Sequence, residues 1–533
     1  MRKREGDFLP LFAALVGALL FLLPTLRYGI ARDHALFSYY GWMILRGGPL
    51  CANAFVIDMP GAPFLHALQI ALLGRSALAM RVFDFAWQAA TMLILYAAAR
   101  MVFSRLAAVC AVWFYAFFYW NMGWWHTCQR DSFAIPWILL MLMCLMRGAG
   151  EPDKRRWIAL CGICCAGAAF LKGHFLILPI VAGVYLFLEG RLRKEGIARN
   201  AFNAALPAVI TLLPFACYAL WHILGGRWAD FRNSFLIGNW AYLHASAPRT
   251  LPLQPFLDAS RFWLACAALT GLLLPCECAN AKRRAIAAIF LITAGLIPFV
   301  LRRFFEYHFT SFFCIACVFA GHAMDRFSAA LSELCASGFM ARIAPRRLMF
   351  LLILIAPYFA SAAEGPQQFP KELLALLEPG ALRIPVAPVV DEDYQSPVVS
   401  AVAGFISQRT QPEDSVMVFD IDPAVLYLAE RLPPRILQSG AMMLIHAGSP
   451  IADEMFARWR AEQAESLRRR EPKFVIVPEG CLAWFYPGGK DVSTRLRDFP
   501  ELADALRENY DDMGKTWYYR IYIRSGEIES APR

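Results

Sequence analysis

Long apolar runs separated by short polar gaps dominate the pattern of this chain. The runs are roughly 17–25 residues long, enough to cross a hydrocarbon core about 30 Å thick. Lipid offers no hydrogen-bond partners to the backbone, so such runs are satisfied as helices. The pattern therefore predicts a mainly α membrane protein. Its eleven expected spans are 8–26, 77–99, 106–124, 132–147, 157–171, 173–189, 203–224, 261–278, 285–301, 307–324 and 346–363.

Basic residues concentrate in alternate gaps between these runs. One gap contains Arg100 and Arg105, and another contains Arg191, Arg193 and Lys194. Because positively charged loops stay on the cytoplasmic side, the pattern predicts an N-terminus inside and every second loop outside. The net charge of +10 follows from this topology. Since no long basic tract contains interleaved aromatic residues, we expect no nucleic-acid partner.

The first outer gap, residues 27–76, contains two further apolar segments. The segment Ala35–Leu45 has few charges and many aromatic residues, which is typical of a helix lying along the membrane surface. The segment Phe64–Leu73 is too short to span and predicts a second surface or re-entrant helix.

The composition changes near residue 385, where charges become common and apolar runs shorten. Short β-rich runs bounded by turn residues predict strands, and a charged amphipathic segment predicts a helix. We therefore expect a transmembrane domain over 1–365, a linker over 366–384 and an extracytoplasmic α/β domain over 385–533. The predicted strands are Ser415–Phe419, Lys473–Val477 and Trp517–Ile523, and the predicted helix is Ile451–Arg470.

The overall composition supports a membrane protein and excludes several other classes. The chain is 58% hydrophobic and 18% charged, against about 45–50% and 25% in soluble domains. Most of its 15 cysteines lie inside apolar runs, where they behave as small hydrophobic residues. The sequence contains no P-loop and no dinucleotide-binding glycine fingerprint, so we expect no nucleotide cofactor.

Two carboxylates in the first outer gap are the leading candidates for chemistry. Asp33 follows the first apolar run, and Asp58 begins the segment Asp58-Met59-Pro60-Gly61. The alternative interpretation is that both are solvated loop charges or helix caps. Two acids at the surface of so apolar a chain favour a reaction there.

Cations occur at the same predicted level. Lys172 interrupts an apolar stretch, and a cation within the bilayer costs roughly 2.5–3.5 kcal/mol. One interpretation is that Lys172 has an acidic partner or a functional role. The other is that it lies at a tight turn and extends its amine to the membrane interface. Arg302 and Arg303 follow the ninth run against the positive-inside trend, and Arg130 with Asp131 forms either a local ion pair or part of the same site. Arginine is well suited to phosphate oxygens.

Together these residues describe a cavity at the outer leaflet with acids on one wall and cations on another. Such a cavity suits an anionic phosphate and a nucleophile that must be deprotonated. Since nucleotides are scarce outside the cytoplasm, an activated donor there would be linked to a lipid.

The order of these features resembles the polyprenyl-phosphate-dependent integral-membrane glycosyltransferases of the GT-C fold. This group includes the protein O-mannosyltransferases of glycosyltransferase family 39 and the bacterial aminoarabinose transferases. The resemblance covers residues 1–360 and rests on Asp33, the acid-x-Pro segment at Asp58 and the Leu-Lys-Gly turn at Lys172. Many relatives have Glu-Lys-Pro-Pro where this chain has Asp58-Met59-Pro60-Gly61, and Pro where it has His174.

The resemblance implies an inverting glycosyl transfer with Asp33 as the general base on an acceptor hydroxyl. It implies a GT-C bundle of about eleven spanning helices with surface helices in the first outer loop. Asp58 would assist catalysis and bind a divalent metal ion, with His244 as a second ligand. Lys172, Arg302, Arg303 and Arg130 would bind the phosphate of the donor.

Several alternatives stay open at this stage. A transporter or flippase of a lipid-linked sugar would also need cations for phosphate, although such proteins commonly contain internal repeats and none is apparent here. The acceptor is a lipid, a glycan such as lipopolysaccharide, or a protein, and no motif identifies the sugar. We expect a location in the bacterial inner membrane, with the chemistry on the periplasmic face.

Overall fold

The structure is a computed structural model of the 533-residue chain. It describes residues 8–48, 50, 59–148, 154–240, 258–275, 280–301, 304–335, 371, 373–377, 396–419, 423–434, 444, 450–480, 490–516 and 518–527.

Helices make up most of the described residues before position 336. They are α1 (Phe8–Leu20), α2 (Arg32–Leu45), α3 (Gly61–Leu73), α4 (Ala77–Arg100), α5 (Arg105–Asn121), α6 (Gly123–His126), α7 (Arg130–Gly148), α8 (Arg155–Leu171), α9 (Ile177–Leu192), α10 (Ile197–Leu224), α11 (Trp228–Phe231), α12 (Ala259–Leu273), α13 (Ala281–Leu301) and α14 (Thr310–Cys335). Short 3₁₀ helices lie at Leu23–Arg27, Gly173–Leu176 and Glu306–Phe309, and a π-helical turn lies at Arg232–Ile237.

Ten of the eleven predicted apolar ranges coincide with helices in the described residues. The eleventh, 346–363, lies outside them, so the number of spans stays a prediction. Five described segments are long and apolar enough to cross a membrane. They are Ala77–Arg100, Arg130–Gly148, Gly173–Leu192, Ile197–Leu224 and Glu306–Ala330.

The contacts divide the chain into two compact units. The first contains Met1–Tyr28, Arg81–Ala216 and Thr250–Pro385. The second contains Gly29–Met80, Cys217–Arg249 and Val386–Arg533, so the two predicted surface helices belong to the same unit as the C-terminal region. The predicted boundaries at 365 and 385 stay predictions.

Small residues allow close helix packing in the first unit. A methyl group added at Gly321 of α14 would meet the backbone carbonyl of Ala107 on α5. A methyl group added at Gly271 of α12 would meet the carbonyl of Phe319. Helices α5, α12 and α14 therefore touch nearly backbone to backbone, which an apolar environment favours because packing drives association there.

The second unit contains a four-stranded sheet of order β1-β2-β4-β3. Strand β1 pairs with β2 in parallel, and the other two pairings are antiparallel. The strands are β1 (Val416–Val418), β2 (Phe474–Pro478), β3 (Tyr510–Thr516) and β4 (Tyr519–Arg524), and the helices of this region are α15 (Ser396–Arg409), α16 (Ala424–Ala429), α17 (Pro450–Arg468), α18 (Val492–Arg497) and α19 (Pro500–Asn509).

The three predicted strands and the predicted helix are present within a few residues of the expected bounds. Strand β3 was not predicted. Its sequence, Tyr-Asp-Asp-Met-Gly-Lys-Thr, is polar because it forms an edge of the sheet and is largely exposed. An edge strand needs no apolar alternation, and charges there discourage pairing with another chain.

The predicted segments of the first outer gap form α2 and α3, which pack against each other. Gly41 lies in the contact, and a Cβ atom built on it would be 2.6 Å from the backbone nitrogen of Ala67. Ser38 Oγ and His66 Nδ1 are joined across the same contact by a 3.0 Å hydrogen bond. Helix α2 is therefore held closely against α3 around Ser38 and Gly41.

Candidate functional site

Lys172 lies where α8 ends, at the predicted interruption of the apolar stretch. Its backbone is extended, with φ −154° and ψ 124°, and the chain then enters the 3₁₀ helix at Gly173. The side chain is buried and its ammonium forms an ion pair with Asp131. The partner of this buried cation is thus the acid that follows Arg130.

Asp131 occupies the first turn of α7 and is 1% exposed. The positive end of the helix dipole favours a carboxylate at this position. Its Oδ2 accepts the hydrogen bond from Lys172, whereas its Oδ1 has no hydrogen-bond partner among the described residues. One oxygen of a buried carboxylate is therefore left for another group.

Aromatic and imidazole rings surround this pair. His174 Nε2 lies 3.5 Å from Asp131 Oδ1, and neither ring nitrogen has a hydrogen-bond partner in the part of the chain that is described. The Lys172 ammonium lies 4.7 Å from the centre of the Tyr307 ring. The rings of His174 and His308 are 6.2 Å apart. The cluster combines a cation, a carboxylate and imidazoles at the ends of apolar helices.

Arg130 is the first residue of α7 and is partly buried. Its charge acts on both Asp131 and His174. Lys172 and Asp131 are therefore in contact, with Arg130 next to Asp131 in the first turn of α7, and a role for Arg130 in phosphate binding stays a prediction.

A second ion pair is formed by Glu306, the residue before Tyr307. Glu306 Oε2 is 2.7 Å from the guanidinium of Arg261 and 3.5 Å from Nε2 of His126. The rings of His126 and Tyr307 are 5.7 Å apart. These contacts connect the start of α12 to the segment that carries Tyr307.

A buried polar network in α4 and α5 was missed by the sequence analysis. Asp84 is 1% exposed and accepts hydrogen bonds from Tyr119 Oη at 2.9 Å and Gln88 Nε2 at 3.1 Å. Tyr115 Oη donates to Gln88 Oε1 at 2.7 Å. The signal was available, since Arg81, Asp84 and Gln88 recur at helical spacing within a predicted span.

This network fixes the segment that precedes α7. Arg81 is fully buried and donates to Thr127 Oγ1 and to the carbonyl of Trp124, both at 2.9 Å. The Tyr119 hydroxyl accepts from the backbone N–H of Cys128 at 2.7 Å. Residues 124–128 are thereby held in place immediately before Arg130 and Asp131.

Asp33 lies in the second unit, in the first turn of α2, and is partly buried. The turn begins at Ala31, whose backbone N–H donates to His34 Nδ1 at 3.1 Å. The backbone N–H at the helix start is therefore bound by His34, and the role of Asp33 stays a prediction.

Four predicted site residues lie outside the described part of the chain. They are Asp58, His244, Arg302 and Arg303. The described residues contain no group of three or more His, Cys, Asp or Glu side chains that could hold a metal ion. The metal site at Asp58 and His244 stays a prediction.

Residues 58–221 match the family model described as dolichyl-phosphate-mannose-protein mannosyltransferase. No curated protein sequence matches the chain. The match includes Arg130, Asp131 and Lys172 and ends within α10.

The fold is shared with two solved structures. ArnT from Cupriavidus metallidurans bound to undecaprenyl phosphate is 15% identical, with a TM-score of 0.62 over 98% of this chain and 99% of that one. The archaeal oligosaccharyltransferase AglB from Archaeoglobus fulgidus, in complex with an inhibitory peptide and a dolichol-phosphate, is 13% identical, with a TM-score of 0.51 over 98% and 74% of the two chains. The predicted resemblance is therefore confirmed at the level of the fold.

Proposed function

We propose that this protein transfers a hexosyl or pentosyl group from a polyprenyl-phosphate donor to an acceptor hydroxyl at the outer face of a bacterial inner membrane. The transfer inverts the anomeric centre. The acceptor is a lipid, a glycan or a protein of the cell envelope.

The observation that carries the proposal is the buried cluster of Lys172, Asp131 and His174. It holds a cation at the ends of apolar helices, together with three polar atoms that have no hydrogen-bond partner among the described residues. A buried polar atom without a partner costs about 1–3 kcal/mol, so a ligand that satisfies it binds favourably. A phosphate on a lipid carrier offers oxygens that accept hydrogen bonds from the Lys172 ammonium and from the ring N–H of His174. Asp131 Oδ1, itself an acceptor, is left for a group that donates, such as a hydroxyl.

The relatives supply the donor class. Solved structures of the same fold contain undecaprenyl phosphate or dolichol-phosphate. Lys172 and Arg130 would stabilise the negative charge that grows on the phosphate oxygen as the glycosidic bond breaks. Arg302 and Arg303 are proposed for the same task, on the evidence of the sequence.

Asp33 is proposed as the general base. Its carboxylate takes the proton from the acceptor hydroxyl while that oxygen forms a bond to the anomeric carbon. The bond from this carbon to the donor phosphate breaks, and polyprenyl phosphate leaves with the electron pair. A positioned carboxylate contributes a factor of about 10²–10⁴ to such a step.

The test is transfer of label from a radiolabelled polyprenyl-phosphate sugar pool to host membranes by purified protein. We expect Asp33→Asn to lower transfer at least about 100-fold, because an amide cannot accept the proton. Asp453→Asn is the matched control, since Asp453 is also a partly buried aspartate in the first turn of a helix. It should keep wild-type transfer.

Wild-type activity in folded Asp33→Asn would eliminate Asp33 as the base. If wild type moved no label to an acceptor but changed the leaflet of the donor in vesicles, the transporter interpretation would replace the proposal.

A further inference from the structure

We propose that Tyr39 and Arg431 form a positioning device that holds the helix bearing Asp33 in its active orientation. The inference rests on the proposed function, because it takes Asp33 as the base. It gives the C-terminal region a role in the reaction that the sequence left open.

Arg431 is the fixed point of this device. It follows α16, and its side chain is only 6% exposed. Its Nε donates to Thr410 Oγ1 at 2.7 Å, and its Nη2 donates to the carbonyl of Thr410 at 2.7 Å. Its Nη1 donates to the carbonyl of Ala429 at 2.9 Å. The guanidinium thus binds carbonyl oxygens at the ends of α15 and α16, where the helix dipoles favour a cation.

Tyr39 connects α2 to this fixed point. Its hydroxyl donates to the backbone carbonyl of Arg431 at 2.9 Å, and its side chain is fully buried. Burial raises the pKa of Tyr39 well above its ordinary value, so the hydroxyl stays a donor at every physiological pH. Tyr39 is six residues after Asp33, roughly 9 Å along the helix at 1.5 Å per residue.

A second contact holds the neighbouring helix against the same segment. Tyr427 of α16 donates from its hydroxyl to the carbonyl of Arg75 at 3.1 Å, and Arg75 Nη1 donates to the carbonyl of Tyr427 at 3.2 Å. Arg75 also forms an ion pair with Glu430. Helix α3 ends two residues before Arg75 and packs against α2. The residues in and after α16 therefore contact α2 directly and bind the end of α3 through Arg75.

A general base must be held in a precise position relative to its substrate. A catalytic group must be held within about 0.5 Å of its productive position, and a displacement of 1 Å can cost about 100-fold in rate. A short helix tied to its surroundings by a buried hydrogen bond meets this need. Without that bond, α2 would sample several orientations and its backbone hydrogen bonds would open more often.

The experiment compares Tyr39→Phe with Tyr510→Phe in the full-length protein. Tyr510 is an equally suitable tyrosine because it is buried and donates to the carbonyl of Pro472 at 2.9 Å, far along the chain from α2. Each variant removes one hydroxyl and keeps the ring. We measure kcat, the KM for donor, and amide hydrogen–deuterium exchange over residues 32–45.

In Tyr39→Phe we expect kcat to fall about fivefold, the effect of one lost hydrogen bond, with an unchanged donor KM. Exchange within α2 should become faster, whereas Tyr510→Phe should match wild type in both readouts. A purely structural role for Tyr39 would lower the folded fraction without changing kcat per folded molecule.

Unchanged exchange within α2 in Tyr39→Phe would overturn the inference, whether or not transfer is detected. An equal loss of kcat in Tyr510→Phe would also overturn it. Absence of transfer by wild type would count against the proposed function alone, because the exchange measurement still decides whether Tyr39 restrains α2.

Discussion

At the scale of single residues, Lys172 shows how a charge is accommodated near lipid. An isolated cation at the centre of a spanning helix costs roughly 2.5–3.5 kcal/mol. Here the ion pair with Asp131 offsets that cost, and the helix end at Lys172 lets the ammonium reach the first turn of α7. A buried pair is weak evidence for stability but good evidence for a site, since apolar residues of similar size would serve packing as well.

Lys172→Ala should raise the donor KM at least about tenfold, because a phosphate-binding charge is worth more than about 1.4 kcal/mol in such a site. The measurement is transfer at varied donor concentration. Lys154→Ala is the matched control, since Lys154 is also a buried lysine with a carboxylate partner, Glu195 at 2.7 Å. A donor KM that changed equally in both variants would remove Lys172 from the site.

At the scale of secondary-structure elements, the contact between α2 and α3 depends on Gly41. A methyl group there would lie 2.6 Å from the Ala67 backbone nitrogen, so the two helices would have to separate. We expect Gly41→Ala to destabilise the protein by about 1–3 kcal/mol. Thermal unfolding in detergent measures the effect.

Gly404 of α15 provides the matched control for Gly41. A methyl group at Gly404 meets nothing within 4 Å, and alanine favours a helix by about 1 kcal/mol over glycine. Gly404→Ala should therefore keep or raise the unfolding temperature. A rise in both variants would show that α2 and α3 are not in close contact.

Glu479, Arg520 and Asp512 form a ladder of charges across the sheet, which predicts that the stability of the protein depends on pH. The hydrogen bond from Arg520 on β4 holds the pKa of Glu479 below its ordinary value near 4.5. Arg520 also binds Asp512 on β3 at 2.6 Å. Because the folded pKa is depressed, the stabilisation is complete above pH 4.5 and is lost as pH falls through the folded pKa.

Glu479→Gln should therefore lower the unfolding temperature at neutral pH and reduce its dependence on pH below 4.5. Thermal unfolding at pH 3 to 7 measures this, with Glu508→Gln, on the exposed side of α19, as the control. An identical pH profile in wild type and Glu479→Gln would show that the ladder contributes nothing to stability.

At the scale of the whole molecule, the predicted topology has eleven spans and ends on opposite sides of the membrane. Alkaline phosphatase fused after residue 533 should therefore be active, because that enzyme folds only outside the cytoplasm. Fusion after Arg193, at the end of α9, should be inactive. Activity of the second fusion, or inactivity of the first, would contradict the orientation inferred from the basic loops.

The hydrophobic pattern and local sequence signals determined much of the secondary structure of this protein. Ten of the eleven apolar ranges predicted helices of the described residues, and short β-rich runs predicted three of the four strands described. These features follow from the sequence because backbone hydrogen bonds must be satisfied wherever the chain lies in lipid, and because period and length distinguish helices from strands. Asp33 and Lys172 could be identified from the sequence because each is a charge that borders or interrupts an apolar run.

Pairings between distant positions were decided only by the tertiary structure. No local pattern specifies that Lys172 reaches Asp131, that Asp84 accepts from Tyr119, or that Tyr39 donates to Arg431. Such contacts join residues that are tens to hundreds of positions apart, and their energies exist only once packing brings the groups together and excludes water.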